Sequence, residues 1–487
     1  MNALSKIASP RFWLIVVCVL SAATDTKVFS DDALKIEARN AMLKAVDFFH
    51  NKVATEGGYV FRYASDLVLR EGEEKTGPTT VWIEPPATPA VGIAYVEGYR
   101  RTHEASFLRA ARDTATCLIR GQLHSGGWSN SIEFDPAERK RNAYRVDGPP
   151  SAKSRNVSTL DDNKSQSAIR FLTGLDQALE FQDKVLHDAA LYALDSLVSA
   201  QFPNGAWPQG FSEPPKATEF PVTKASYPKT WSREFPKVDY KGFYTFNDNS
   251  IVDTLRLMML AHQVYGDERY KNAALRAGEF LLLAQMPDPQ PAWAQQYDRE
   301  MHPTWARKFE PPAVSGGESQ KIIDTLVYLY QETGEAKFLD AAKKAHQYLS
   351  RSTLPSGMMA RFYELKTNKP LYFTREYALT YDDGDLPTHY GFIVANTLPK
   401  LLEKIDKVAA LSEKQLKENS QRQRLTQKVD RPSENEVRKV IASLDARGAW
   451  IEQGKLSTYK GDNPPNEIIE SKTFIKNVDV LSRFLAK

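Results

Sequence analysis

The sequence predicts an all-α protein, an α/α toroid of helix pairs with long loops laid over its active rim. A recurring turn is the first sign of it. From about Asp31 the chain alternates helical segments with short Gly/aromatic turns that resemble one another. Gly57-Gly-Tyr59 is the first; Gln122 precedes Gly126-Gly-Trp128, and Gln201 precedes Asn204-Gly-Ala-Trp207 with the same Gln-to-Trp offset. Gln285 leads to Pro291-Ala-Trp293, while Ser356-Gly-Met-Met-Ala360 and Arg447-Gly-Ala-Trp450 read as degenerate copies. The second sign is what lies between the turns: helix pairs such as Ala90 to Tyr99 with Ala105 to Leu118, and Ser165 to Leu179 with Asp188 to Ala200. Pairs that repeat in this way stack side by side and bury their faces against their neighbours. An open solenoid is the alternative to a closed ring. The aromatic turns favour the ring, since flat apolar platforms gathered at one rim suit a saccharide cleft.

Taken in order, residues 1–23 read as an export signal. Lys6 and Arg11 precede an apolar run from Phe12 to Leu20, and Ser21-Ala-Ala23 supplies small residues for cleavage. The run is too short to span a bilayer, so the expected product is secreted or periplasmic, with no stable membrane insertion. Residues 31–406 form the expected toroid, 407–434 a charged linker or helix, and 435–487 a C-terminal helical extension packing on the domain. Two segments break the rhythm, Glu133 to Val157 and the Pro-, Lys- and aromatic-rich Ser212 to Lys241. Both read as long surface loops of the kind that carry function. The near-balance of 64 basic and 61 acidic residues argues against nucleic-acid binding by bulk charge. Beyond the signal only Cys117 remains, with apolar neighbours, so no intrachain disulfide is expected. A monomer is expected. There is no nucleotide-binding glycine loop and no His- or Cys-rich metal motif.

Two polar clusters open helices. Thr245-Phe-Asn-Asp-Asn249 precedes an apolar helix from Ile251 to Val264, and Ser158-Thr-Leu-Asp-Asp-Asn163 precedes another from Ala168. The plain reading is a pair of N-caps. In a toroid, however, successive inner helices start on one rim, which lets Asp161 and Asp248 face each other. Oxygen ligands without His or Cys then suit a hard cation such as calcium. A third stretch, Met359 to Arg375, interleaves Arg361, Lys366, Lys369 and Arg375 with Phe362, Tyr363, Tyr372 and Phe373. Arginine forks on carboxylates and aromatic faces on pyranose rings suit an anionic sugar chain. Solvated surface hairpins are the plainer account.

Four motifs in order resemble those of polysaccharide lyase family 10, the pectate lyases. They are Asn204-Gly-Ala-Trp-Pro-Gln209, Thr245-Phe-Asn-Asp-Asn249, Trp305-Ala-Arg-Lys-Phe-Glu-Pro-Pro312 and Ala360-Arg-Phe-Tyr-Glu-Leu-Lys-Thr-Asn-Lys-Pro370. The resemblance implies a toroid of the (α/α)3 kind and calcium-dependent β-elimination of polygalacturonate, the acidic chain of pectin. It implies Arg307 as the catalytic base, with Arg375 as the second choice. It implies Asp248 as the calcium-holding aspartate, with Asp161 as the acid near the scissile bond and a second metal ligand. Arg361 and Arg375 would grip substrate carboxylates, and Asp162, Asn247 and Lys369 complete the expected substrate contacts. The chain departs from the family pattern at Asp162, in the Ser212–Lys241 loop, and at Glu376-Tyr377.

For Arg307 to act as a base its proton must be unusually labile, and a dry cleft with a nearby cation is expected to lower its pKa. Two rival readings stay open. One is a glycoside hydrolase using Asp161 and Asp248 as acid and base. The other is a non-catalytic binder of acidic glycans.

Overall fold

The computed structural model describes residues 21–240, 242–416, 418, 430–460 and 465–486. Most of the proposed export signal, and much of the proposed linker, lies outside them. Among the described residues no helix is long and apolar enough to cross a membrane.

The repeat resolves into four consecutive helix pairs. They are α2 (Thr88–Thr102) with α3 (Ala105–Arg120), and α4 (Lys164–Ala178) with α5 (Lys184–Ala200). Then follow α6 (Ser250–Tyr265) with α7 (Glu268–Ala284), and α8 (Glu318–Thr333) with α9 (Ala336–Arg351). The first helix of each pair packs on the first helix of the next, giving an inner wall α2–α4–α6–α8, which α10 (Leu398–Ala409) continues. At the other end α11 (Ser471–Leu485) packs on α2 and on the long α1 (Ser21–Phe48). This is the α/α toroid, with short β-ribbons attached to its loops.

Each turn of the repeat is a staple. Gln122 Nε2 donates to Gly126 O in its own turn and to Ala189 O in α5, both at 2.9 Å. Gln201 does the same with Gly205 O and Ala273 O of α7, and Gln285 with Pro291 O and Ala341 O of α9. The tryptophan two positions past Gly126, Gly205 and Pro291 closes the staple. Trp128, Trp207 and Trp293 donate Nε1–H to Leu118 O, Leu197 O and Leu281 O at 2.8, 2.8 and 2.7 Å. All three are fully buried. The expectation that these aromatics form saccharide platforms is therefore corrected: they bind repeat to repeat, because a buried indole must find a partner for its N–H. Gly205 shows why the turn needs glycine. Its φ is +95°, and a Cβ there would lie 2.1 Å from Arg276 O of the next pair. Trp207→Ala is expected to destabilise the protein by about 3–5 kcal/mol, measured by chemical denaturation, and a loss below 1 kcal/mol would count against the staple.

The segment 435–487 is not a separate appendage. Strand Glu467–Glu470 pairs antiparallel with Arg62–Ala64, aligning Ile469 with Tyr63, and Phe474 of α11 stacks on Phe49 at 3.9 Å. The long loop Ser212–Lys241 is pinned from two sides. Trp305 Nε1 donates to Ser232 O at 2.8 Å, and Arg233 pairs with Glu364. Cys117 is buried, as its neighbours predict.

Candidate active site

Three inner helices begin at one rim, and the three starts are built alike. Thr159 Oγ1 accepts from Asp161 N, Thr245 Oγ1 accepts from Asn247 N, and Ser315 Oγ accepts from Gly317 N. Leu160 N donates to Gln209 O, and Phe246 N to Gln295 O, so each start hangs from the following turn. Asp162 and Asn163 are both left-handed (φ 47° and 57°), as are Asp248 and Asn249 (φ 50° and 59°). Two successive non-glycine residues in that region carry strain on the order of 1–3 kcal/mol each, which surroundings must hold in place. Neither Asn163 nor Asn249, the residues preceding α4 and α6, makes a side-chain cap bond. The N-cap reading therefore does not describe these clusters.

The kinked starts bring Asp161, Asp162 and Asp248 together, with one carboxylate oxygen of each within 4.8 Å of the others. Gln209 Nε2 donates to Asp161 Oδ1 at 2.7 Å, and Asn247 donates to Asp248. Burial pushes the Asp248 carboxyl up to about 7, with the charges of Asp162 and Asp161 adding and Arg307 partly opposing. Three mutually repelling carboxylates and no nitrogen or sulfur donor are a donor set that fits a hard divalent cation. The same cleft, about 380 Å³, is lined by Asp161, Asp162, Asn247, Asp248 and Arg307, together with Tyr240 of the long loop.

Arg307 faces this cluster from the turn Trp305–Glu310. Its Nε donates to Glu310 Oε2 at 2.8 Å, its backbone N donates to the same oxygen, and Nη2 donates to Oε1. Glu310 is almost fully buried and also accepts from Gln295 Nε2 (2.6 Å) and Tyr390 Oη (3.0 Å). Burial works to lower the Arg307 pKa, but the bonds and charge of Glu310 outweigh it and hold the guanidinium above its ordinary value. The expected lowering is thus reversed: the arginine is a clamped cation. Arg361 lines an adjoining cleft of about 500 Å³ that shares Asp248. It donates to Glu318 Oε1 at 2.9 Å and to Gly391 O, with its guanidinium 4.7 Å from the Tyr390 ring centre.

Two expected contacts stand apart. Arg375 is 67 % exposed and pairs with Asp385 at 3.2 Å, and Lys369 lies over the Tyr381 ring at 5.0 Å. Neither lines the two clefts. Sequence reasoning missed Glu310, Tyr390, Glu318 and Lys164. Glu310 had a readable signal, an acid three residues after the arginine in a tight turn; Tyr390, eighty residues further on, had none.

The ring of helix pairs carries an acidic cluster and a clamped guanidinium on one cleft, at the rim where inner helices begin. Residues 122–329 and 323–482 match the family described as pectic acid lyase, well over half the chain. The protein belongs to that family and is a polysaccharide lyase. A family 10 polysaccharide lyase from Cellvibrio cellulosa is similar at 21 % identity and a TM-score of 0.45, over 61 % of this chain and 92 % of that one. A mutant of the Cellvibrio cellulosa family 10 lyase in complex with trigalacturonic acid is similar at 20 % identity and TM-score 0.46, over 66 % and 98 %. A D-mannose isomerase is similar at 14 % identity and TM-score 0.46, over 92 % and 97 %. No curated protein matches the chain.

Proposed function

We propose that the protein is an exported, calcium-dependent pectate lyase that cleaves α-1,4-polygalacturonate by β-elimination. The observation that carries this reading is the placement of Arg307 and the Asp161–Asp162–Asp248 cluster on one cleft. Asp248, Asp161 and Asp162 would hold the ion, and Arg361 would meet a substrate carboxylate. When bound, calcium would neutralise the C6 carboxylate of the sugar and so acidify its C5–H.

In the reaction Arg307 takes the C5 proton. The C5–H electron pair becomes the C4=C5 double bond, the C4–O bond breaks, and the departing oxygen takes a proton from solvent. Because Glu310 favours the protonated form of Arg307, the reaction calls for an alkaline medium, and activity should rise with pH. The guanidinium also stabilises the negative charge that spreads onto the carboxylate as the proton leaves.

The deciding assay follows ultraviolet absorbance of the 4,5-unsaturated product from polygalacturonate. Absorbance should rise with calcium present and stay flat with a chelator. Reducing ends appearing without that absorbance would instead indicate hydrolysis by Asp161 and Asp248. Binding without cleavage would indicate a glycan-binding protein.

A further inference from the structure

A second acidic group borders the first. Glu73, Glu84 and Asp162 also bring one carboxylate oxygen each within 4.8 Å of the others, and Asp162 belongs to both trios. A lysine is built into this second trio. Lys164 Nζ lies 3.0 Å from Glu84 Oε2 and 3.0 Å from Asp162 Oδ2, and its side chain is 2 % exposed. Glu84 Oε2 is itself buried, and among the described residues the Lys164 ammonium is the partner that meets it.

The lysine stands where helix physics disfavours it. It is the first residue of α4, at the positive end of the helix dipole, where anions are stabilised and cations are not. The corresponding first residues of α6 and α8 are Ser250 and Glu318. Burying an ammonium there costs several kcal/mol unless carboxylates meet it, and here two do.

We propose that Lys164 is the resident cation of the Glu73–Glu84–Asp162 trio. By filling that trio it confines divalent-ion binding to a single site at Asp161–Asp162–Asp248. It also fixes the affinity of that site through Asp162, the carboxylate that the two trios share. The lysine is a positioning residue that sets ion stoichiometry and leaves the chemistry to others. This inference rests on the reading that the inner trio binds calcium.

The test is calcium titration calorimetry on the full chain after chelator dialysis, with thermal unfolding in calcium and in chelator as a second readout. The wild type should bind one calcium. Lys164→Gln, which leaves Glu84 and Asp162 without their ammonium beside Glu73, should bind two and should gain a larger calcium-induced rise in Tm than the wild type. The double variant Lys164→Gln/Glu84→Gln removes the excess charge and should return to one. If Lys164→Gln folds only in calcium, its recovery by that ion supports the proposal equally. A wild type that binds one ion while Lys164→Gln also binds one overturns the role of Lys164 alone. A wild type that binds none overturns the reading of the inner trio, and two equivalents in the wild type show that the lysine closes nothing.

Discussion

Arg307→Lys is expected to lower kcat on polygalacturonate by about 10²–10⁴-fold while shifting Tm little. Lysine keeps a positive charge beside Glu310 and so avoids leaving a buried carboxylate unpaired, but it loses the planar fork and the Nη atoms that reach the cleft. Arg307→Ala is the less informative variant, because an unpaired Glu310 at 2 % exposure would destabilise the fold by about 3–5 kcal/mol. Glu310→Gln separates the two things asked of the arginine. It removes the charge that holds the guanidinium protonated, so the rising limb of the kcat–pH profile should move to lower pH if Arg307 takes the proton. A profile that stays in place with kcat reduced would assign Arg307 to charge stabilisation only.

Asp248→Asn is expected to abolish the calcium-induced rise in Tm and, with it, at least about 10²-fold of the activity. The stability change has the opposite sign in chelator. The folded-state pKa of Asp248 is raised from 3.8 to about 7 by burial and by Asp162 and Asp161. Its contribution to stability is therefore complete below the ordinary carboxyl range and is lost as pH rises through about 7. Ion-free wild type should thus lose stability between about pH 4 and pH 7, and Asp248→Asn should not share that loss. Above pH 7 in chelator the variant should melt a little higher than the wild type, and in calcium lower. A variant less stable than wild type in both buffers would remove Asp248 from the ion site.

Much of this site was legible in the residues, and the reasons are local. Asp161, Asp248 and Arg307 stand in short motifs at helix starts and in one tight turn, where sequence spacing and spatial spacing coincide. The Gln-to-Trp offset was equally readable as a repeat, but its meaning was not. A tryptophan in a glycine turn looks the same whether its ring faces a ligand or, as for Trp207, donates to a buried carbonyl of the preceding helix. Tyr390 reaches Glu310 from a distant loop, so no periodicity could signal it. Arg375 and Lys369 share the alternating pattern of Arg361, yet only Arg361 sits where strand Met359–Ala360 passes α8. A pattern of cations and aromatics does not say which of them a hairpin turns outward. Lys164 was hidden for another reason: a charged residue at a helix start reads as surface until two carboxylates from other segments are found around it.

The joining of Glu467–Glu470 to Arg62–Ala64, with Phe474 against Phe49, has a consequence for how the molecule is made and lost. The face of the first helix that meets the last one is covered only when the two ends of the chain come together, a pairing of the greatest sequence separation in the fold. A clip taken from the tail would leave every cleft residue from Asp161 to Tyr390 on the chain. It would bare a hydrophobic flank on the opposite side of the sequence, and the injury would register as self-association before it registered as failed catalysis.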